Sequence, residues 1–111
     1  MTTTPRLALV LLAAESKAEV LLRGEIDADG LPELHLAVMQ LLATPGVKRI
    51  EVDVALTTFC DSAGLSGLLR AHLTAREREV GLYLVRAPTY LVRLLEVTGL
   101  TTLFGVQDDP Q

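Results

Sequence analysis

Cysteine occurs once, at Cys60, tryptophan not at all, and the aromatic residues are two tyrosines and two phenylalanines. A single thiol closes no disulfide within the chain and builds no Cys-based zinc site. This usage suits a reducing compartment, where a lone thiol most often serves as a small buried hydrophobe. Positive charge is also in short supply: 10 Lys and Arg stand against 14 Asp and Glu, for a net charge of −4. No basic cluster or aromatic-studded basic stripe occurs, which excludes direct contact with DNA or RNA. No run approaches the ~18 apolar residues that would read as a membrane-spanning helix, so direct membrane insertion is excluded as well. Leu7 to Ala14, with Arg6 ahead, has the apolar centre of a signal peptide. Its brevity favours a first strand, and a cytoplasmic protein is expected.

What the chain does have is aliphatic bulk. Half of its 111 residues are hydrophobic, mostly Leu, Val and Ala. That length allows one domain, residues 1–111, with an ordered core from about residue 5 to 106. Two apolar runs, Leu7 to Ala13 and Glu19 to Arg23, flank Glu15-Ser16-Lys17 and predict a β-hairpin. Gly24 to Gly30 is a loop by composition, and Pro32 suits the first turn of a helix with Leu34, Val38, Leu41 and Leu42 on its inner face. Lys48 to Leu56 predicts an inner strand running into a turn, Thr57 to Asp61. From Ser62 a second helix continues to about Glu79, with Leu65, Leu68, Leu69 and Ala75 inward. Leu82 to Val85 predicts another strand. Pro88 opens a third helix, with Leu91, Leu94 and Leu95 inward and Gly99 as its cap, and Thr101 to Val106 is expected to add a short last strand. The order β-β-α-β-α-β-α-(β) defines an α/β fold whose later strands lie parallel with right-handed crossovers.

Function should gather where the strand ending near Thr58 turns into the helix starting at Ser62, because sites in open α/β sheets lie outside the carboxyl ends of strands. Either Asp61 or Ser62 can cap that helix. A serine hydrolase elbow needs glycine where Cys60 stands, and a histidine in reach. His72 lies ten residues along the same helix, ~15 Å away at 1.5 Å per residue, and nothing places His35 at the turn. Asp53 invites comparison with a phospho-accepting receiver domain. That chemistry needs an acidic pair after the first strand and a late lysine, whereas Ala13-Ala14-Glu15 stands in the first place and Lys48 is the last lysine. No metal-ligand cluster and no Gly-rich phosphate loop is present. The reading is a non-enzyme without cofactor or metal.

Three blocks, in order, resemble the STAS domain of bacterial anti-sigma factor antagonists. They are Leu22-Arg23-Gly24-Glu25-Ile26-Asp27, Phe59-Cys60-Asp61-Ser62-Ala63-Gly64-Leu65, and Ala87-Pro88 through Val92-Arg93-Leu94-Leu95 to Thr98-Gly99-Leu100. The resemblance implies a single layer of mixed, mainly parallel sheet packed with helices. It implies that Ser62 accepts phosphate from a partner that is both anti-sigma factor and serine kinase, and that a serine phosphatase acts on phospho-Ser62. It places Glu25, Asp27, Asp61, Ala63 and Gly64 on the partner-binding surface. Ala63 replaces the family's second serine, leaving Ser62 as the one hydroxyl between Thr58 and Ser66. Two alternatives are a STAS adaptor subunit of a membrane lipid-transport complex of ABC type, with Ser62 as a structural helix cap, and a small hydrolase.

Overall fold

The computed structural model describes residues 7–14 and 16–106. Strand β1 (Leu7–Ala14) pairs antiparallel with β2 (Lys17–Ile26), and β3 (Arg49–Cys60) and β4 (Gly81–Val85) follow in parallel, giving the sheet order β1-β2-β3-β4. Helix α1 (Leu31–Leu42) connects β2 to β3, α2 (Ser62–Glu77) connects β3 to β4, and α3 (Thr89–Thr98) follows β4. Parallel neighbours need such crossovers, because two parallel strands cannot be joined by a tight turn.

Alternation in the strands decides which side the helices cover. Val20 and Leu22 of β2, Ile50, Val52 and Val54 of β3, and Leu82 and Leu84 of β4 are buried at every second position. Leu34, Val38 and Leu41 of α1, Leu65, Leu68 and Ala75 of α2, and Leu91 and Leu95 of α3 join them in one connected core. Burying each such leucine contributes about 1.5–3 kcal/mol. Leu42, Leu69 and Leu94, expected to point inward, are half-buried at its edge.

Three local expectations are corrected. Gly24 to Ile26 is strand, not loop, and β3 runs on through Thr57, Thr58, Phe59 and Cys60, because these two segments pair with each other (Gly24 with Thr57, Glu25 with Phe59, Ile26 with Cys60). The pairing slips between Leu21 and Arg23 and again between Gly24 and Glu25. Each slip leaves β3 one residue longer than β2, the signature of a β-bulge. Gly24 sits at the second bulge with φ 109°, open to glycine and strained for other residues. Thirdly, Thr101 to Val106 forms no strand. Its amides turn back on the chain, Phe104 N–H to Leu100 O at 3.2 Å and Val106 N–H to Thr101 O at 2.9 Å. The Phe104 carbonyl accepts from the Leu84 amide at 3.0 Å, and its ring is fully buried.

Candidate functional site

The site lies at the carboxyl end of β3. Strand β4 stops at Val85, opposite Asp53, so the last residues of β3 have β2 as their strand neighbour on one side and no β4 partner on the other. The bulges also break the alternation there. Leu56 is 55% and Phe59 46% exposed, while Thr57 and Cys60 are buried.

A single residue, Asp61, separates β3 from α2. Its backbone is extended (φ −93°, ψ −176°), and its carboxylate accepts the Gly64 amide at 2.7 Å. Its own amide donates to Ile26 O at 3.3 Å. Asp61 is therefore the N-cap, and the alternative in which Ser62 caps the helix is corrected. Ser62 is the first helical residue, and its side chain is exposed. Among the described residues no hydrogen bond engages its hydroxyl, which the fold leaves free.

The turn is braced against the end of β2. A Cβ on Gly64 would lie 2.0 Å from Ile26 O, so only glycine permits the approach. The two segments singled out in the sequence, Gly24 to Asp27 and Asp61 to Gly64, thus form one surface. Asp27, 8% exposed, caps a single 3-10 turn (Ala28–Gly30) by accepting the Asp29 amide at 3.1 Å. Glu25 and Ala63 are half-buried and Gly64 is buried. Of the residues expected to meet a partner, Ser62 alone is exposed. Asp27 and Gly64 hold the shape, and the carboxylates of Glu25, Asp27 and Asp61 bring negative charge to this end of the sheet.

Other groups near the turn are already engaged. Burial, with a smaller contribution from the Asp61 charge, pushes the Cys60 thiol up to about 11, so it stays protonated near neutral pH. Asp53 is 3% exposed; its carboxylate accepts from Arg86 and from the Ala55 amide at 3.0 Å, which ties the start of the β4–α3 connection to β3. The Thr57 hydroxyl donates to Val54 O at 2.7 Å and shares a hydrogen bond with the Tyr90 hydroxyl at 2.7 Å. Burial raises the Tyr90 phenol above its ordinary value. Neither Tyr90 nor the exposure of Leu56 and Phe59 was foreseen; both depend on where β4 ends. His72 is buried, with Nδ1 3.1 Å from Leu82 O and its ring edge-on to Phe104, far from the turn. Among the described residues no cluster of three or more His, Cys, Asp or Glu is placed to hold a metal, and no helix is long and apolar enough to cross a membrane.

A four-stranded mixed sheet whose third strand delivers an exposed serine to the first turn of a crossover helix is the architecture of a STAS domain. A family model described as "Mlab, STAS domain" matches residues 10–105, and the chain belongs to this family. The anti-sigma-B factor antagonist of Listeria monocytogenes serovar 1/2a is 28% identical over 90 residues, 81% of this chain and 78% of that one. An anti-sigma factor antagonist from Mycobacterium paratuberculosis has a similar structure (TM-score 0.74, 22% identity, covering 94% of this chain and 87% of that one). So does the Bacillus cell fate determinant SpoIIAA in its phosphorylated form (TM-score 0.69, 16% identity, 86% and 87%). At those identities the two structures speak for the fold.

Proposed function

We propose that this protein is a partner-switching anti-sigma factor antagonist. With Ser62 unmodified it binds an anti-sigma factor that is also a serine kinase, and so releases a sigma factor in the cytoplasm. Phosphorylation of Ser62 ends the binding, and a serine phosphatase restores it. The observation that carries this reading is the division of labour at the turn, where Asp61 caps α2 and leaves the Ser62 hydroxyl exposed and unused. The curated relatives, named anti-sigma-B factor antagonists, support it.

The switch follows from charge. A phosphoserine adds about −1.5 to −2 charge. At the first residue of α2 it meets the positive end of the helix dipole and the amides of the first turn, so the fold tolerates it. A partner shaped around the neutral hydroxyl, with acidic groups or no counter-charge facing Ser62, must strip water from the phosphate or meet it with like charge, and like charge across an interface costs several kcal/mol. The exposed Leu56 and Phe59 beside it supply the apolar contact that interface centres require. The surface changes and the fold does not.

The deciding experiment incubates the protein with ATP and the anti-sigma kinases of its source cell, followed by phosphosite mapping by mass spectrometry. Phosphate on Ser62 is expected; modification elsewhere, or none, overturns the proposal. In the adaptor-subunit reading, Ser62 stays unmodified in cells and the chain co-purifies with an ABC-type transporter. The Asp61 cap removes the structural role that reading gave to Ser62.

A further inference from the structure

Between the 3-10 turn, the start of α1 and the middle of α2 lies a cavity of about 370 Å³. Leu31, Leu34 and Ala71 line it with apolar surface, and the exposed side chains of His35 and Arg70 border it. Arg49 and Lys17, by contrast, pair with Glu51, and Arg86 with Asp53. Among the described residues neither Arg70 nor His35 has an ion pair or a hydrogen bond. In a chain of net charge −4, an apolar hollow edged by an unengaged guanidinium and an imidazole complements an apolar group that carries an anion.

Position decides what that group belongs to. Helix α2 carries Ser62, Ser66 and Arg70 at four-residue intervals, all three exposed. Such spacing keeps them on one side of the helix, with Arg70 about 12 Å along the axis from Ser62. A protein seated over Ser62 reaches the hollow without leaving α2. At physiological ionic strength, surface charges more than about 8 Å apart are largely screened, so a phosphate on Ser62 acts weakly at Arg70.

We propose that this hollow is a second docking point for the anti-sigma partner, taking a leucine- or methionine-sized side chain next to an aspartate or glutamate. The proposal rests on the partner-switching reading. It divides the interface into a phosphate-sensitive point at Ser62 and a phosphate-insensitive hold at the hollow.

Two variants target the hollow without entering the core. Arg70→Glu reverses its charge, and Ala28→Leu fills it from an exposed position that lines it. The first measurement titrates the labelled full chain with an acetylated, amidated hexapeptide, Ser-Ser-Leu-Glu-Ser-Ser, and follows the backbone amides by NMR. Saturable shifts at Leu31, Gly67, Arg70 and Ala71 are expected, weakened about tenfold or more in either variant and in a matched peptide with Lys in place of Glu. Absence of shifts at millimolar peptide, or shifts indifferent to both variants, overturns the proposal. So does tighter saturation of the same amides by decanoate, which would make the hollow a small-molecule site.

The second measurement uses the kinase that phosphorylates Ser62. Arg70→Glu is expected to weaken its binding about tenfold and to combine multiplicatively with Ser62→Asp. Unchanged affinity in Arg70→Glu refutes the second docking point while leaving the switch intact. A loss in Arg70→Glu with none in Ser62→Asp refutes the switch and retains the hollow.

Discussion

The two ends of β3 are built from one strand and behave as different materials. At the amino end β3 lies between β2 and β4, and its polar groups saturate one another. Glu51 pairs with Lys17 at 3.2 Å and Arg49 at 2.9 Å, and the Arg49 guanidinium stacks over Tyr83 at 4.1 Å. At the carboxyl end β4 has run out, two bulges turn Leu56 and Phe59 toward solvent, and a hydroxyl without a partner follows. The difference lies less in composition than in neighbours. Where a strand keeps both flanking strands its side chains are consumed by the fold, and where it outlasts one they become available to something else. Asp53, level with the last residue of β4, marks the boundary between the two.

The largest effect expected from breaking this contrast is on binding. Ser62→Asp places a permanent charge at the free end and should weaken the kinase complex by ~10³-fold, about 4 kcal/mol. Its urea midpoint should stay within error of the parent. Unfolding at lower urea would show that Ser62 belongs to the fold after all. Next comes Gly64→Ala, where the added Cβ meets the backbone oxygen of Ile26. Displacing a strand end costs more than the helix gains from alanine, and about 3 kcal/mol of stability should be lost in urea unfolding. Asp53→Ala tests the boundary: it leaves the Ala55 amide without its acceptor and releases Arg86 from β3, at a cost of about 2 kcal/mol by the same assay.

Both ends of β3 were unequally legible in the sequence. Ile50, Val52 and Val54 alternate as strand residues do, and the helices after Pro32, Ser62 and Pro88 announce themselves by apolar spacing and caps. Gly24 to Ile26 and Thr57 to Cys60 do neither. Each is a poor strand alone and becomes one by pairing with the other, a long-range fact that local composition cannot carry. Thr101 to Val106 misled in the opposite direction. Its apolar residues fit a strand, yet local turn bonds take up the amides of Phe104, Gly105 and Val106, and Phe104 is the segment's fully buried residue. The choice of cap was open because aspartate and serine cap equally well. The backbone decides it by making Asp61 extended and Ser62 helical. The hollow beside Arg70 was invisible, since its walls come from α1 and α2, which the sequence holds apart.

A smaller effect separates cap from acceptor. Asp61→Ala removes the bond to the Gly64 amide and should cost about 1 kcal/mol of stability. Kinase-dependent phosphorylation of Ser62 should continue, because the hydroxyl is held by nothing that Asp61 contributes. Loss of phosphorylation in a folded Asp61→Ala protein would show that the kinase reads the cap itself.

The smallest effect lies at the other end of the strand and serves as its control. The hydrogen bond from Arg49, aided by Lys17 and only partly opposed by desolvation, holds the Glu51 carboxyl below its ordinary value of 4.5. A group whose folded value is depressed stabilises the protein above its unfolded value and loses that contribution as pH falls through the folded one. Glu51→Gln should therefore be less stable than the parent at pH 6–7, by under about 1 kcal/mol because the pair is solvent-screened. The gap should close as the pH drops from 4.5 through the lowered value. Kinase affinity at neutral pH should not change. If Glu51→Gln weakens the complex as Ser62→Asp does, the two ends of β3 are coupled, and the separation between a saturated end and an available one fails.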